Sequence, residues 1–201
     1  MRSGLKIFAV FFLIVLHATS CKKESDLQMH TYNTTVNLAY SSAQSDPSCF
    51  LDIDSGKVYK VSQAAAKQNE IDFVYVLRYN AANDPRFISL GSFDGKQGYP
   101  ISYWNKSTLG INAFSFFNHT LISKGGSSNT LSGFASIKTV NDFNVWLNGN
   151  SAIFDAEEIS TNEVGNIYLF KTQQNKRGAF RVVNAQNGSS GFATIEVKIE
   201  P

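Results

Sequence analysis

The sequence is poor in the residues that metal centres, disulfide frameworks and nucleophilic sites need. Its 201 residues include two Cys, three His, four Pro and two Trp. Two cysteines, Cys21 and Cys49, make no disulfide framework. Cys21 has another expected role, which leaves Cys49 without a partner. Cys49 alternates with Leu51 and Ile53 and reads as a buried free thiol. His17 lies in the N-terminal apolar segment and His30 in a polar stretch read as a tether. Any Ser-His-Asp arrangement must therefore use His119, and no Gly-x-Ser-x-Gly elbow is present. One histidine and one apolar-face cysteine do not build a zinc site. Asp52-Ile53-Asp54-Ser55-Gly56 departs from a calcium loop, with Lys57 at the sixth position and Gln63 at the twelfth. Phosphate-cradling glycine loops are missing too. No catalytic residue, metal ligand or cofactor is assigned from the sequence.

Charge of one sign is also lacking. Of 18 Lys and Arg, Arg2 and Lys6 fall in a segment expected to be removed, leaving 16 basic residues against 16 acidic ones. A neutral chain without a basic run is not expected to bind nucleic acid. No apolar run approaches the ~20 residues of a spanning helix.

One shorter apolar run is informative. Arg2 and Lys6 precede Ile7 to Leu16, all apolar, and Ala18-Thr19-Ser20-Cys21 follows. A basic start, a short apolar stretch and small residues describe a secretory signal peptide. Ala18-Thr19-Ser20-Cys21 resembles the lipobox of bacterial lipoproteins, which often has Leu where this chain has Ala18. The resemblance implies diacylglycerol transfer to the Cys21 sulfur, cleavage before Cys21, and palmitate-type acyl chains as membrane anchor. Each buried methylene contributes about 0.8 kcal/mol, so two or more chains hold stably. Cys21-Lys22-Lys23-Glu24-Ser25-Asp26 is similar to the start of many Bacteroidetes lipoproteins, which implies an outer-membrane, outward-facing address. The expected organisation is a signal peptide over 1–20, a lipid-anchored tether over 21–33 and a domain over 34–201.

Alternation with period two dominates that domain. Val36, Leu38 and Tyr40 share a face, as do Cys49, Leu51 and Ile53. Within 71–79, Ile71, Phe73, Tyr75, Leu77 and Tyr79 point one way, and Val74 and Val76 the other beside Asp72 and Arg78; two apolar faces predict a central strand. Segments 167–172, 178–183 and 192–199 read as a three-strand meander, the second turn containing Asn187-Gly188. Helix is scarce. Ser62 is the expected cap of a helix over 63–68, and Asn141 or Asp142 of a short one stopped by Gly149. Residues 80–100 and 124–130 read as loops. The expected fold is mainly β, α+β at most: a single antiparallel β-sandwich-like domain with one or two short helices.

Three places resemble a family of uncharacterised Bacteroidetes lipoprotein domains. They are Phe50 to Tyr59 with the alanine-rich turn and Ile71 to Tyr75, the Trp104-Asn105 region, and Phe170-Lys171-Thr172 followed by Lys176-Arg177-Gly178 and the last strands. These motifs imply a fold and a location, and no reaction.

The carboxylates Asp52, Asp54, Asp72, Asp155, Glu157 and Glu158 are the candidates for paired acid chemistry. Aromatics are a better lead. Tyr99, Tyr103 and Trp104 cluster beside the 80–100 stretch, with Asn105 next to them. Such rings stack on sugar faces while an amide bonds hydroxyls; their alternative role is completing the core. The expectation is a non-enzymatic envelope lipoprotein, a binding or accessory module for a glycan or protein partner. Its alternative is a structural docking component without a small ligand. A hydrolase would need His119 or two carboxylates converging.

Overall fold

The computed structural model describes residues 27–39, 46–77, 84–94, 109–124, 131–149, 154–160, 163–188 and 191–201. Among these residues, ten strands form two antiparallel five-stranded sheets. One has the order β1-β10-β9-β8-β6, from β1 (His30–Asn37), β10 (Phe192–Ile199), β9 (Arg177–Gln186), β8 (Ile167–Lys171) and β6 (Leu121–Lys124). The other has the order β3-β2-β4-β5-β7, from β3 (Val58–Lys60), β2 (Ser48–Leu51), β4 (Phe73–Leu77), β5 (Pro85–Ser89) and β7 (Glu158–Ser160). The first is the β1 sheet and the second the β3 sheet.

The alternation in the sequence builds the space between them. Val36, Phe170, Phe180, Val182, Ile195 and Val197 from the β1 sheet meet Leu51, Phe73, Tyr75, Leu77 and Phe87 from the β3 sheet. The Phe87 and Phe180 rings meet edge-on across the sheets, 5.7 Å apart. Burying a side chain of this kind contributes about 1.5–3 kcal/mol. The mainly β, sandwich-like expectation therefore holds, as does the C-terminal meander of β8, β9 and β10.

Each sheet carries a further layer outside. On the β3 sheet, Cys49, Phe50, Val74, Val76 and Ile88 are covered by Ala64 of α1 (Val61–Ala64), and by Leu90, Phe93, Leu109, Ile111 and Phe114. On the β1 sheet, Ile167, Leu169 and Ala179 are covered by Phe134 of α2 (Leu131–Ser136) and Phe143 of α3 (Val140–Asn148). β4 is thus buried on both faces, as expected. Ile71 departs from the expected pattern. It precedes the strand and packs in the outer layer with Val74 and Val76.

Other details differ for physical reasons. The tether expected over 21–33 is strand from His30, and Gln28 already bridges Thr139. Thr31, Asn33 and Thr35 are polar because they face outward, which masked the alternation of Tyr32, Thr34 and Val36. The 80–100 stretch contains β5, hidden because it begins at Pro85. A proline is tolerated as the first residue of a strand. α1 starts at Val61, and Ser62 bonds Asp46 with its hydroxyl at 2.8 Å instead of capping. The cap of α3 is Thr139, whose hydroxyl accepts from the Asp142 N–H at 3.1 Å; Asp142 completes the capping box. α2 follows 125–130 and was not expected.

Candidate functional site

The expected lipidation residue Cys21, and the expected ligand residues Tyr99, Tyr103, Trp104 and Asn105, lie outside the described residues. So does Arg78. Cys49 is a buried free thiol, and burial pushes it well above the usual thiol range. It is not placed for reaction.

Polar side chains converge where the aromatic segment leaves the described fold. β5 runs into a tight 3-10 turn over Leu90–Phe93, which ends at Asp94. His119 lies two residues before β6. Its Nδ1 is 3.4 Å from Glu157 Oε1, and its Nε2 is 3.6 Å from Asp94 Oδ2. The Ser92 hydroxyl donates to Glu157 Oε2 at 3.0 Å. Gly91 makes the room. A Cβ there would stand 2.3 Å from His119 Nδ1, so the imidazole lies where only glycine permits it. The Gly91 N–H also donates to the Asn118 carbonyl at 2.8 Å.

A buried polar layer underlies this group. Asp72 is 4% exposed. Its carboxylate accepts from Thr120 Oγ1 at 2.6 Å and from the Ile53 N–H at 3.1 Å. The Ser89 hydroxyl accepts from the Thr120 N–H at 3.0 Å and donates to the Asn118 carbonyl at 3.2 Å. Asn118 Nδ2 donates to the Ile71 carbonyl at 2.8 Å. Burial pushes the Asp72 carboxyl up to about 7, against the pull of its two hydrogen bonds. The layer ties the start of β4, the end of β5 and the approach to β6 together.

This arrangement clamps chain segments. Ser92 donates to a carboxylate and not to His119, so the hydroxyl is not set for attack by a Ser-His pair. Among the described residues, no group of three His, Cys, Asp or Glu side chains is arranged to hold a metal. The Asp52 to Gly56 segment is a turn: Asp52 Oδ1 accepts from the Asp54 and Ser55 N–H groups at 3.0 and 3.1 Å, and Oδ2 from Ser55 Oγ at 2.5 Å. Glu158 pairs with Arg86 at 3.1 Å. A cleft of about 180 Å³ opens between Leu27, Val140, Gln174, Lys176 and Glu200. Ligand pockets commonly measure about 300–1,000 Å³, so this cleft is small for one. Sequence reasoning singled out His119 and Asp72. It missed Gly91, Ser92 and Asp94, whose only signal was a turn-forming Gly-Ser-Phe-Asp run.

Fold and clamp define a two-sheet antiparallel β sandwich with helical outer layers and a polar clasp at one end. No family model matches the chain, and no curated protein matches it. In three dimensions it is similar to the crystal structure of a DUF4466 family protein from Parabacteroides merdae, a domain family without an assigned function, with a TM-score of 0.50 and 15% identity. The likeness covers 85% of this chain and 53% of that one, so the chain spans about half its length. At that identity the likeness shows the fold. Among the described residues, no helix is long and apolar enough to cross a membrane.

Proposed function

We propose that the protein is a non-enzymatic envelope lipoprotein, anchored to the outer membrane through acylated Cys21, that displays a binding or accessory module outward. Its ligand class is a glycan, met by Tyr99, Tyr103, Trp104 and Asn105. One observation carries the reading. The residues flanking those aromatics are set in the fold: Asp94 stands against His119, and Leu109 is fully buried in the outer layer of the β3 sheet. Flanks already ordered in the fold do not have to be ordered on binding, which favours affinity. Non-catalytic use is supported by the engagement of Ser92, Glu157 and Asp72 in the clasp.

Two measurements test the reading. Cys21→Ala should release the protein from the membrane fraction or block its processing; normal membrane partitioning of a mature Cys21→Ala chain would end the lipoprotein reading. Thermal unfolding of the lipid-free chain should rise by several degrees with a bound glycan at about 100 times its Kd. Trp104→Ala should abolish that rise. No shift with any glycan would favour the docking alternative.

A further inference from the structure

The two sheets have four edges, and three of them are blunted. β3 and β7 are three residues long. The edge at β6 is closed by backbone bonds between Ile122 and Ala156, at 2.7 and 3.2 Å. β1 is different. It pairs with β10 over eight residues without a register shift. Among the described residues, its other edge is covered at the start, where Met29 N–H donates to the Lys138 carbonyl and Val140 N–H to the Leu27 carbonyl, and again just past its end, where Ala39 N–H donates to the Tyr75 carbonyl at 3.0 Å.

The phase of the ladder shows what is left free. Leu38 N–H donates to the Gly191 carbonyl at 2.8 Å, so even-numbered residues of this strand bond β10. The N–H and C=O groups of Thr31, Asn33, Thr35 and Asn37 therefore point to the open edge. Their side chains are exposed. From Thr31 to Asn37 the strand has no charge, no proline and no bulge. Proteins ordinarily place such devices on a long edge to prevent pairing. Their absence on the one long edge, with the other three blunted, marks a pairing surface.

We infer that β1 pairs antiparallel with β1 of a second copy of this chain, joining two β1 sheets into one continuous sheet. The strand suits its own twofold. With the axis at Thr34, Thr31 meets Asn37 and Asn33 meets Thr35, which pairs all four free residues in about eight backbone bonds. On the inner face Tyr32 meets Val36 and Thr34 meets Thr34. Aromatic–β-branched pairs are favourable across strands, while the Thr34 hydroxyl keeps its own bond to the Gly56 carbonyl at 2.9 Å. No like charges face each other. A head-to-head arrangement of this kind closes on itself at two copies.

The test uses the chain after signal removal, with Cys21→Ser to keep it free of lipid. Sedimentation equilibrium up to about 0.5 mM should show a monomer–dimer equilibrium. Two double variants then read the register. Asn33→Lys with Thr35→Lys sets like charges opposite each other twice and should weaken dimerisation roughly tenfold or more. Asn33→Lys with Thr35→Glu sets opposite charges there and should restore or tighten it. Both alter the same exposed positions, and their melting curves check that the monomer folds. A monomer throughout the concentration range overturns the inference. So does a dimer that both variants leave unchanged, or weaken equally. This pairing needs no ligand, and it fails or stands independently of glycan binding.

Discussion

The outer layer on the β3 sheet is apolar at its centre. Cys49, Phe50, Val74, Val76 and Ile88 meet Ala64, Leu90, Leu109 and Ile111, and Phe50 lies 6.0 Å from Phe114. The outer layer on the β1 sheet mixes rings with cations. Lys198, only 5% exposed, donates to the Ile137 carbonyl at 2.6 Å and lies 5.0 Å from the Phe134 ring. Arg181 stands over Phe134 and Arg177 over Phe143. The first layer is held mainly by burial, with Lys67 over the Tyr59 ring and the Tyr59–Glu70 bond only at its rim, and its centre tolerates little change of shape. The second is held partly by cations on ring faces and on carbonyls at the end of α2, where a helix presents unpaired acceptors.

The largest expected effect breaks the apolar layer. Phe50→Ala should cost about 3–5 kcal/mol, read as a lowered urea midpoint, because the cavity cannot collapse between the β3 sheet and its cover. A loss below about 1 kcal/mol would mean that this layer is loosely packed.

Next comes the clasp, which belongs to neither layer. The Asp72 carboxyl is raised to about 7 by burial, while in the unfolded chain it returns to about 3.9. The folded state then binds more protons between those values, so stability falls as pH rises through that window. The contribution is complete below about pH 4 and lost above about pH 7, a difference of about 2–4 kcal/mol. Asp72→Asn keeps an acceptor for the Ile53 N–H, turns the Thr120 hydroxyl from donor to acceptor, and should flatten the dependence. An unchanged slope in urea titrations across that window would remove Asp72 as its source.

Lys198→Met sharpens the contrast between the layers. It keeps the length, removes the charge and leaves the Ile137 carbonyl without its donor. The expected cost is about 1–3 kcal/mol. Burial lowers the Lys198 pKa, so wild-type stability should rise as pH rises toward the unfolded lysine value, and the variant should lose that rise. The smallest effect belongs to the exposed Lys176–Asp54 pair. Lys176→Ala should change stability by less than about 1 kcal/mol.

Where a strand buries one face or two, the sequence announced it. Phe73, Tyr75 and Leu77 against Val74 and Val76 defined β4, and Ala193, Ile195, Val197 and Ile199 defined β10. Legibility failed where polar residues face outward on an edge, as in β1, and where Pro85 opens a strand. The candidate site was harder still. Its assembly brings Ser92, Asp94, His119 and Glu157 from three separate segments, with the His119–Glu157 contact 38 residues apart in sequence. Local periodicity carries no information about such meetings. Gly91 was unreadable for a related reason, since the ring it accommodates arrives from elsewhere in the chain.

The early start of the fold sets a leash length. With Leu27 already bonded to Val140, the proposed anchor at Cys21 would stand six peptide steps from the fold, about 20 Å at most. Under the proposed anchoring the sandwich would search only a thin shell above its own bilayer. Within that shell, confinement would raise the encounter rate of anchored copies far above that of the same chains in solution. A soluble ligand would then have to come to the surface to be caught.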